Sequence, residues 1–208
     1  MSVLYFKNLY PDAKIVAIEA NPKTVEYLKR NIKVNKLNNI TVINAILSAK
    51  KGKQNFFMFK MNGWSVSDTA ASDFNLSRSD YLHQAIPSCR LSDFFRTHID
   101  IIKLDIEGVE GEVLFESRQY LKRVSEIVLE HHPNMNEEKN SLKEIIQILS
   151  ANGFVYGVHN TKQLFSRSSS GMRIIHAVRK MRSLLISSHD PIDWLLFKKR
   201  NDILCANT

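Results

Sequence analysis

Glycine is scarce in this chain of 208 residues: there are seven, and no G-x-G occurs anywhere. The G-x-G-x-x-G turn that holds a dinucleotide pyrophosphate is therefore absent. Cysteine is scarcer still. Cys89 and Cys205 build no disulfide framework and show no metal-ligand spacing, so a reducing, cytoplasmic setting is expected. No apolar run approaches the roughly 18 residues of a membrane span. The opening MSVLYFKNLYPDAK lacks the basic start and unbroken apolar stretch of a secretory signal. No H-E-x-x-H or comparable spacing announces a metal.

What is present is ordinary in bulk and uneven in detail. Hydrophobic residues make up 44% and charged residues 24%, enough for one domain with a real core over 1–208. No repeat or linker divides it. The net charge is +8 and the pI about 9.5. Part of the excess lies in a basic C-terminal part, 172–208, where Met172 to Arg200 carries seven Lys/Arg against Asp190 and Asp193. No nucleic-acid fold signature accompanies that charge, so no nucleic-acid partner is expected.

Two periods alternate along the chain. AKIVAIEA reads as a buried strand, and NPKTVEYLKRNIKVNKLNN as a helix with Val25, Leu28 and Ile32 on one face. Asn21 and Pro22 suit its N-cap and first position. ITVINAIL and KQNFFMFK read as two strands joined by a turn at SAKKG. Asn62 to Ser88 is polar and serine-rich, a long loop with room for a short helix. LSDFFRTH (helix), IDIIKLD (strand), VEGEVLFESRQYL (helix) and VSEIVLEHH (strand) continue the alternation. SLKEIIQILSANG is a further helix, with Ser141 and Glu144 at capping-box spacing and Gly153 placed to stop it. FVYGVH and DWLLFKK read as the last strands. The pattern predicts an α/β fold with a mainly parallel sheet.

In such sheets ligands bind beyond the carboxyl ends of the strands. Three predicted strands end in acids there: Glu19, Asp105, and Glu130 with His131 and His132 behind it. Glu19 is suited to accept both hydrogen bonds of a ribose diol. Four carboxylates, Asp105, Glu107, Glu110 and Glu112, crowd into eight residues. Glu112 reads as a charge complementing a helix N-terminus, and Glu110 stands between that role and the site. Asp105 and Glu107 precede the helix and point instead to the mouth of a cleft. Asp105, Glu107, Glu130, His131 and His132 would suit a divalent ion if they converged, but no fixed spacing ties them and no metal is expected.

These segments carry a likeness. The run from YPDAKIVAIEANPKTVEYLKRN to NFFMF, then CRLSDFF, IDIIKLDIEGVEGEVL and EIVLEHH, resembles the FkbM family of S-adenosylmethionine-dependent methyltransferases. The D-x-E-G-x-E run, Asp105 to Glu110, is its most specific element, with E-x-N-P at Glu19 to Pro22 next. The likeness extends from the N-terminus to Gly153. It implies a Rossmann-like methyltransferase sheet, mainly parallel with one antiparallel strand near the C-terminus, for which DWLLFKKR is the candidate. It implies S-adenosylmethionine as cofactor, held by Glu19 with Asn21 beside it and by Ala45 and Ile46 at the adenine, with Asp105 facing the methionine end or the acceptor. It further implies a small-molecule or glycan acceptor methylated on a hydroxyl.

In that family a strand and a D-x-G-A-N-x-G loop precede the helix represented here by SVLYFKNLYP, whereas Met1 falls inside that helix. The expectation is an N-terminally truncated domain, or one whose start is assigned too late, with its central strand missing and no glycine-rich stretch downstream to replace the loop. Methyl transfer to a hydroxyl needs a base. His131 is the first choice, as neutral imidazole is apt near pH 7, with Asp105 or Glu107 as alternates. Two rivals stand beside this reading: a non-catalytic remnant of the fold, and an NAD-type oxidoreductase that Glu19 would serve equally well. Finally, GMRIIHAVRKMRSLLISS gathers Ile174, Ile175, Val178, Met181, Leu184 and Leu185 on one helical face opposite Arg173, Arg179 and Arg182. As a helix over 172–186 it could pack as a lid or lie on an anionic membrane.

Overall fold

A computed structural model of the chain describes residues 2–59, 81–133, 140–160, 173–179 and 202–207. In chain order, α1 (Ser2–Leu9), β1 (Lys14–Glu19), α2 (Pro22–Val34) and β2 (Ile40–Asn44) come first. The short β3 (Ile46–Leu47), β4 (Gly52–Phe59) and β5 (Tyr81–Cys89) follow. Then come β6 (Ile99–Asp105), α3 (Glu110–Ser117), β7 (Val124–His131), α4 (Leu142–Ala151), β8 (Phe154–Asn160), β9 (Arg173–Arg179) and β10 (Asp202–Asn207). Single 3-10 turns occupy Leu91–Phe94 and Arg118–Arg123. Among the described residues no helix is long and apolar enough to cross a membrane.

The helix starts follow from capping chemistry. Asn21 Oδ1 accepts the amides of Lys23 at 2.9 Å and Thr24 at 3.5 Å, and Pro22 opens α2 where a missing N–H costs nothing. Ser141 occupies the N-cap of α4, but its side chain makes no capping bond, so the expected capping box is not formed.

The main sheet runs β2-β1-β10-β6-β7-β9-β8. Its neighbours are parallel except β9, which is antiparallel to both β7 and β8. The architecture is α/β, as the alternation predicts. Helices cover both faces, and the central strands accordingly read as continuous apolar runs. One face packs Ile102, Leu104, Ile127 and Leu129 against Val113 and Leu114 of α3 and Ile145 and Leu149 of α4. The other packs Ile15, Ala17 and Ile101 against Val3 and Phe6 of α1, with Leu28 and Ile32 of α2 alongside.

Four expectations change. The central position is filled by β10, which lies parallel between β1 and β6, so the sheet has its middle strand after all. Its residues alternate between the two cores: Ile203 and Cys205 face α1, and Leu204 and Ala206 face the opposite side. Second, Tyr81–Cys89, expected as loop, is a strand paired along its length with β4, because Ile86 joins Phe56, Ile46 and Ala20 in a small core of its own. Residues 62–80 lie outside the described residues. Third, ITVINAIL, expected as one strand, is two: β2 belongs to the main sheet and β3 to a small sheet, where β5 lies between it and β4, parallel to the first and antiparallel to the second. Fourth, Arg173–Arg179 forms the antiparallel strand β9 rather than part of an amphipathic helix. Its β-branched run buries Ile175 and Ala177 at strand spacing between β7 and β8. The remainder of that segment, 180–186, and the DWLLFKKR stretch are outside the described residues.

Candidate active site

Because β1, β10, β6 and β7 are parallel, their carboxyl ends share one edge of the sheet, and Glu19, Asp105 and His131 terminate three of them there. On the β1 side Glu19 is buried, and its Oε1 accepts the Asn21 amide at 2.8 Å. Asn44 Nδ2 donates to the carbonyls of Glu19 at 3.0 Å and Ala20 at 2.9 Å, and the Ala45 amide donates to the Glu19 carbonyl at 3.1 Å. Ala45 and Ile46 are thereby set beside Glu19, both buried. Asn21 directs its side-chain oxygen to the cap of α2.

On the β6 side the chain makes a sharp turn. Glu107 takes φ of +51°, a left-handed conformation that costs a non-glycine residue of order 1 kcal/mol. Gly108 follows at +95°, a backbone that side-chain-bearing residues rarely adopt. Glu110 secures the turn from within. Fully buried, it accepts at Oε1 the amides of Ile106 at 3.3 Å and Gly108 at 3.2 Å. The same oxygen lies 3.1 Å from His132 Nδ1, while Oε2 is enclosed without a hydrogen-bond partner. Glu110 is thus a structural centre of the turn rather than a surface complement to the helix dipole.

His132 links the two strands. Its Nδ1 faces Glu110, and its Nε2 lies 3.5 Å from Glu107 Oε2. Asp105, Glu107 and His132 each bring one ligand-capable atom within 4.8 Å of the others, a set that could hold a divalent cation. Asp105 is also paired with Lys103 at 2.7 Å, two residues back on the same face of β6. Electrostatics follow from the crowding. Burial pushes the Glu107 carboxyl up to about 7; the His132 charge opposes this, and Asp105, Glu110 and Glu130 reinforce it. Burial opposes charge on His132, but the Glu110 hydrogen bond and the charges of Glu110, Glu107 and Asp105 prevail and raise it to about 9. Glu130 is shifted upward by burial and then by Asp105.

His131 goes elsewhere. Its ring is almost wholly buried, with Nε2 2.7 Å from the Asn140 carbonyl and Nδ1 enclosed without a partner. Burial lowers its pKa, so the ring is neutral and Nε2 carries the donated hydrogen. The structure therefore joins Asp105 and Glu107 to His132 and sets His131 against the loop before α4. Asn140 is the hub of that loop: its Oδ1 accepts the Gly111 amide at 3.0 Å and its Nδ2 donates to the His132 carbonyl at 3.2 Å. The Gly111 amide is one of the orphan donors in the first turn of α3. Nothing in the sequence around Asn140 marks it; of the two adjacent histidines, only the fold distinguishes which meets the acids.

No curated protein matches the sequence. Among solved structures, the chain is similar to the crystal structure of precorrin-6y C5,15-methyltransferase from Geobacter metallireducens GS-15. Identity is 18% and the TM-score 0.43, over 83% of this chain and 71% of that one. A family model described as the methyltransferase FkbM domain matches residues 2–156. That span includes Glu19, the Asp105–Glu110 turn and His132, and on it the chain belongs to the FkbM methyltransferase domain family.

Proposed function

We propose that the protein transfers a methyl group from S-adenosylmethionine to a hydroxyl of a small-molecule or glycan acceptor. The observation that carries this reading is the convergence of Asp105, Glu107 and His132 on the same sheet edge as Glu19, within the family-matched residues. The donor set suits a cationic nucleoside. Glu19 would accept from the ribose hydroxyls, Ala45 and Ile46 would flank the base, and Asp105 would attract the positive end. Once bound, the cofactor supplies an electrophilic methyl group on a positively charged sulfur.

The chain's own part is alignment and proton transfer. Glu107, with its carboxyl raised to about 7, is the base this geometry favours for the acceptor proton. A base is most effective when its pKa lies near the working pH. His132 as imidazolium, between Glu107 and Glu110, fixes the orientation of the Glu107 carboxylate. Calorimetric titration with S-adenosylmethionine tests the reading. Saturable binding that weakens at least tenfold in Glu19→Ala is expected. No heat with S-adenosylmethionine would favour the non-catalytic remnant, and preferential binding of NADH would favour the oxidoreductase.

A further inference from the structure

The path of the chain through the main sheet diverges at its centre. From β1 it winds through α2 outward to β2, and from β6 through α3 outward the other way to β7. β10 stands between these two departures. An open parallel sheet forms its ligand crevice at such a divergence, just outside the carboxyl ends of the strands. Asn207 ends β10 at the middle of that crevice. Its backbone is in register with Glu19 of β1 on one side and with Asp105 of β6 on the other.

The surroundings fix β10 firmly. Ile203, Leu204, Cys205 and Ala206 are all buried, and α1 packs Val3 and Phe6 into the same cluster as Ile203 and Cys205. Since α1 runs directly into β1, and β1 is parallel to β10, the three elements stack as a β-α-β unit. Its first strand comes from the opposite end of the sequence. A residue some 190 positions from Glu19 in sequence thus becomes its lateral neighbour.

We infer that the carboxyl end of β10 is part of the cofactor site, with Asn207 bordering the bound nucleoside between Glu19 and Asp105. This rests on the methyl-transfer reading above and adds to it a binding element outside the family-matched span, 2–156. The far end of the same strand provides the control, because Asp202 is in register with Lys14 at the opposite edge of the sheet.

The test is calorimetry with S-adenosylhomocysteine on the full chain. Asn207→Trp should weaken binding at least tenfold, Asn207→Ala by a smaller factor, and Asp202→Ala by less than twofold. Affinity within twofold of the unsubstituted protein in both Asn207 variants would overturn the inference while leaving the methyl-transfer reading standing. No binding by the unsubstituted protein would sink both. A second measurement stands apart from ligand and needs no bulky variant. In Cys89→Ser protein, Cys205 should resist a soluble thiol reagent until the chain unfolds, since the thiol is buried between β1 and β6. Rapid labelling of the native protein would remove β10 from the sheet centre, and the inference with it.

Discussion

Among the described residues, a Glu–His pair in the interior of the sheet and another at its edge differ in what surrounds them. In the interior, His176 Nε2 of β9 lies 2.7 Å from Glu126 Oε1 of β7, with the carboxylate fully buried. At the sheet edge, His132 lies 3.1 Å from Glu110, also fully buried. The interior pair is one imidazole and one carboxylate within regular strands. The edge pair adds Glu107 and Asp105, an enclosed carboxylate oxygen without a partner, and a left-handed glutamate backbone. Identical residue types make a structural tie in one place and a crowded, strained cluster in the other. Excess carboxylate and a left-handed glutamate are the features that single out the second for the proton-transfer role proposed above.

Breaking the comparison at the edge should give the largest effect. Glu107→Gln keeps the size of the side chain and removes the base, so turnover, followed as S-adenosylhomocysteine release with a hydroxylated acceptor, should drop about 100-fold. Affinity for S-adenosylmethionine should change less than threefold. Turnover retained within threefold would transfer the proton to another group, His131 being the next to replace. Breaking it in the interior should do the reverse. Glu126→Ala leaves the partly buried His176 without this acceptor, at a cost of about 1–3 kcal/mol in urea denaturation. Cofactor affinity should be unchanged. A loss of affinity larger than the loss of stability would mean that the two pairs are coupled through β7 and that the interior pair is more than a structural tie.

Much of the edge was legible because its signals are local. D-x-E-G-x-E announces a strand end, a turn and a helix start within six residues, and the fold places Asp105, Gly108 and Glu110 in those three positions. His131 and His132 show where locality fails: adjacent residues at a strand end point opposite ways, and their sequence is symmetric with respect to the acids. β10 fails more deeply. Its apolar run carries no mark of its partners, which lie about 100 residues away for β6 and about 190 for β1. Asn140 belongs to the same class, a buried hub defined only by the backbone groups it reaches. Arg173–Arg179 was ambiguous for another reason. Ile174, Ile175 and Val178 satisfy helical spacing, while Ile175 and Ala177 satisfy strand spacing, and pairing with β7 and β8 decides between them.

The smallest expected effect, and the sharpest test of the edge cluster, is in the pH dependence of stability. Glu107 has its carboxyl raised from 4.5 to about 7, so the folded state favours its neutral form. The stabilisation it gives is complete below about pH 4.5 and is lost as pH rises through 7. His132 is raised from 6.5 to about 9, so its stabilising charge is complete below about pH 6.5 and is lost as pH rises through 9. Both contributions have the same sign. Urea midpoints should therefore fall in two overlapping steps from pH 5 to pH 9.5, the lower from Glu107 and the upper from His132. Glu107→Gln should abolish the lower step and make the protein relatively more stable near pH 8, because a neutral amide no longer bears the cost of ionising in a buried, acid-rich turn. A lower step that survives in Glu107→Gln would assign it to another carboxyl, with Glu130, also raised by burial, the group to substitute next.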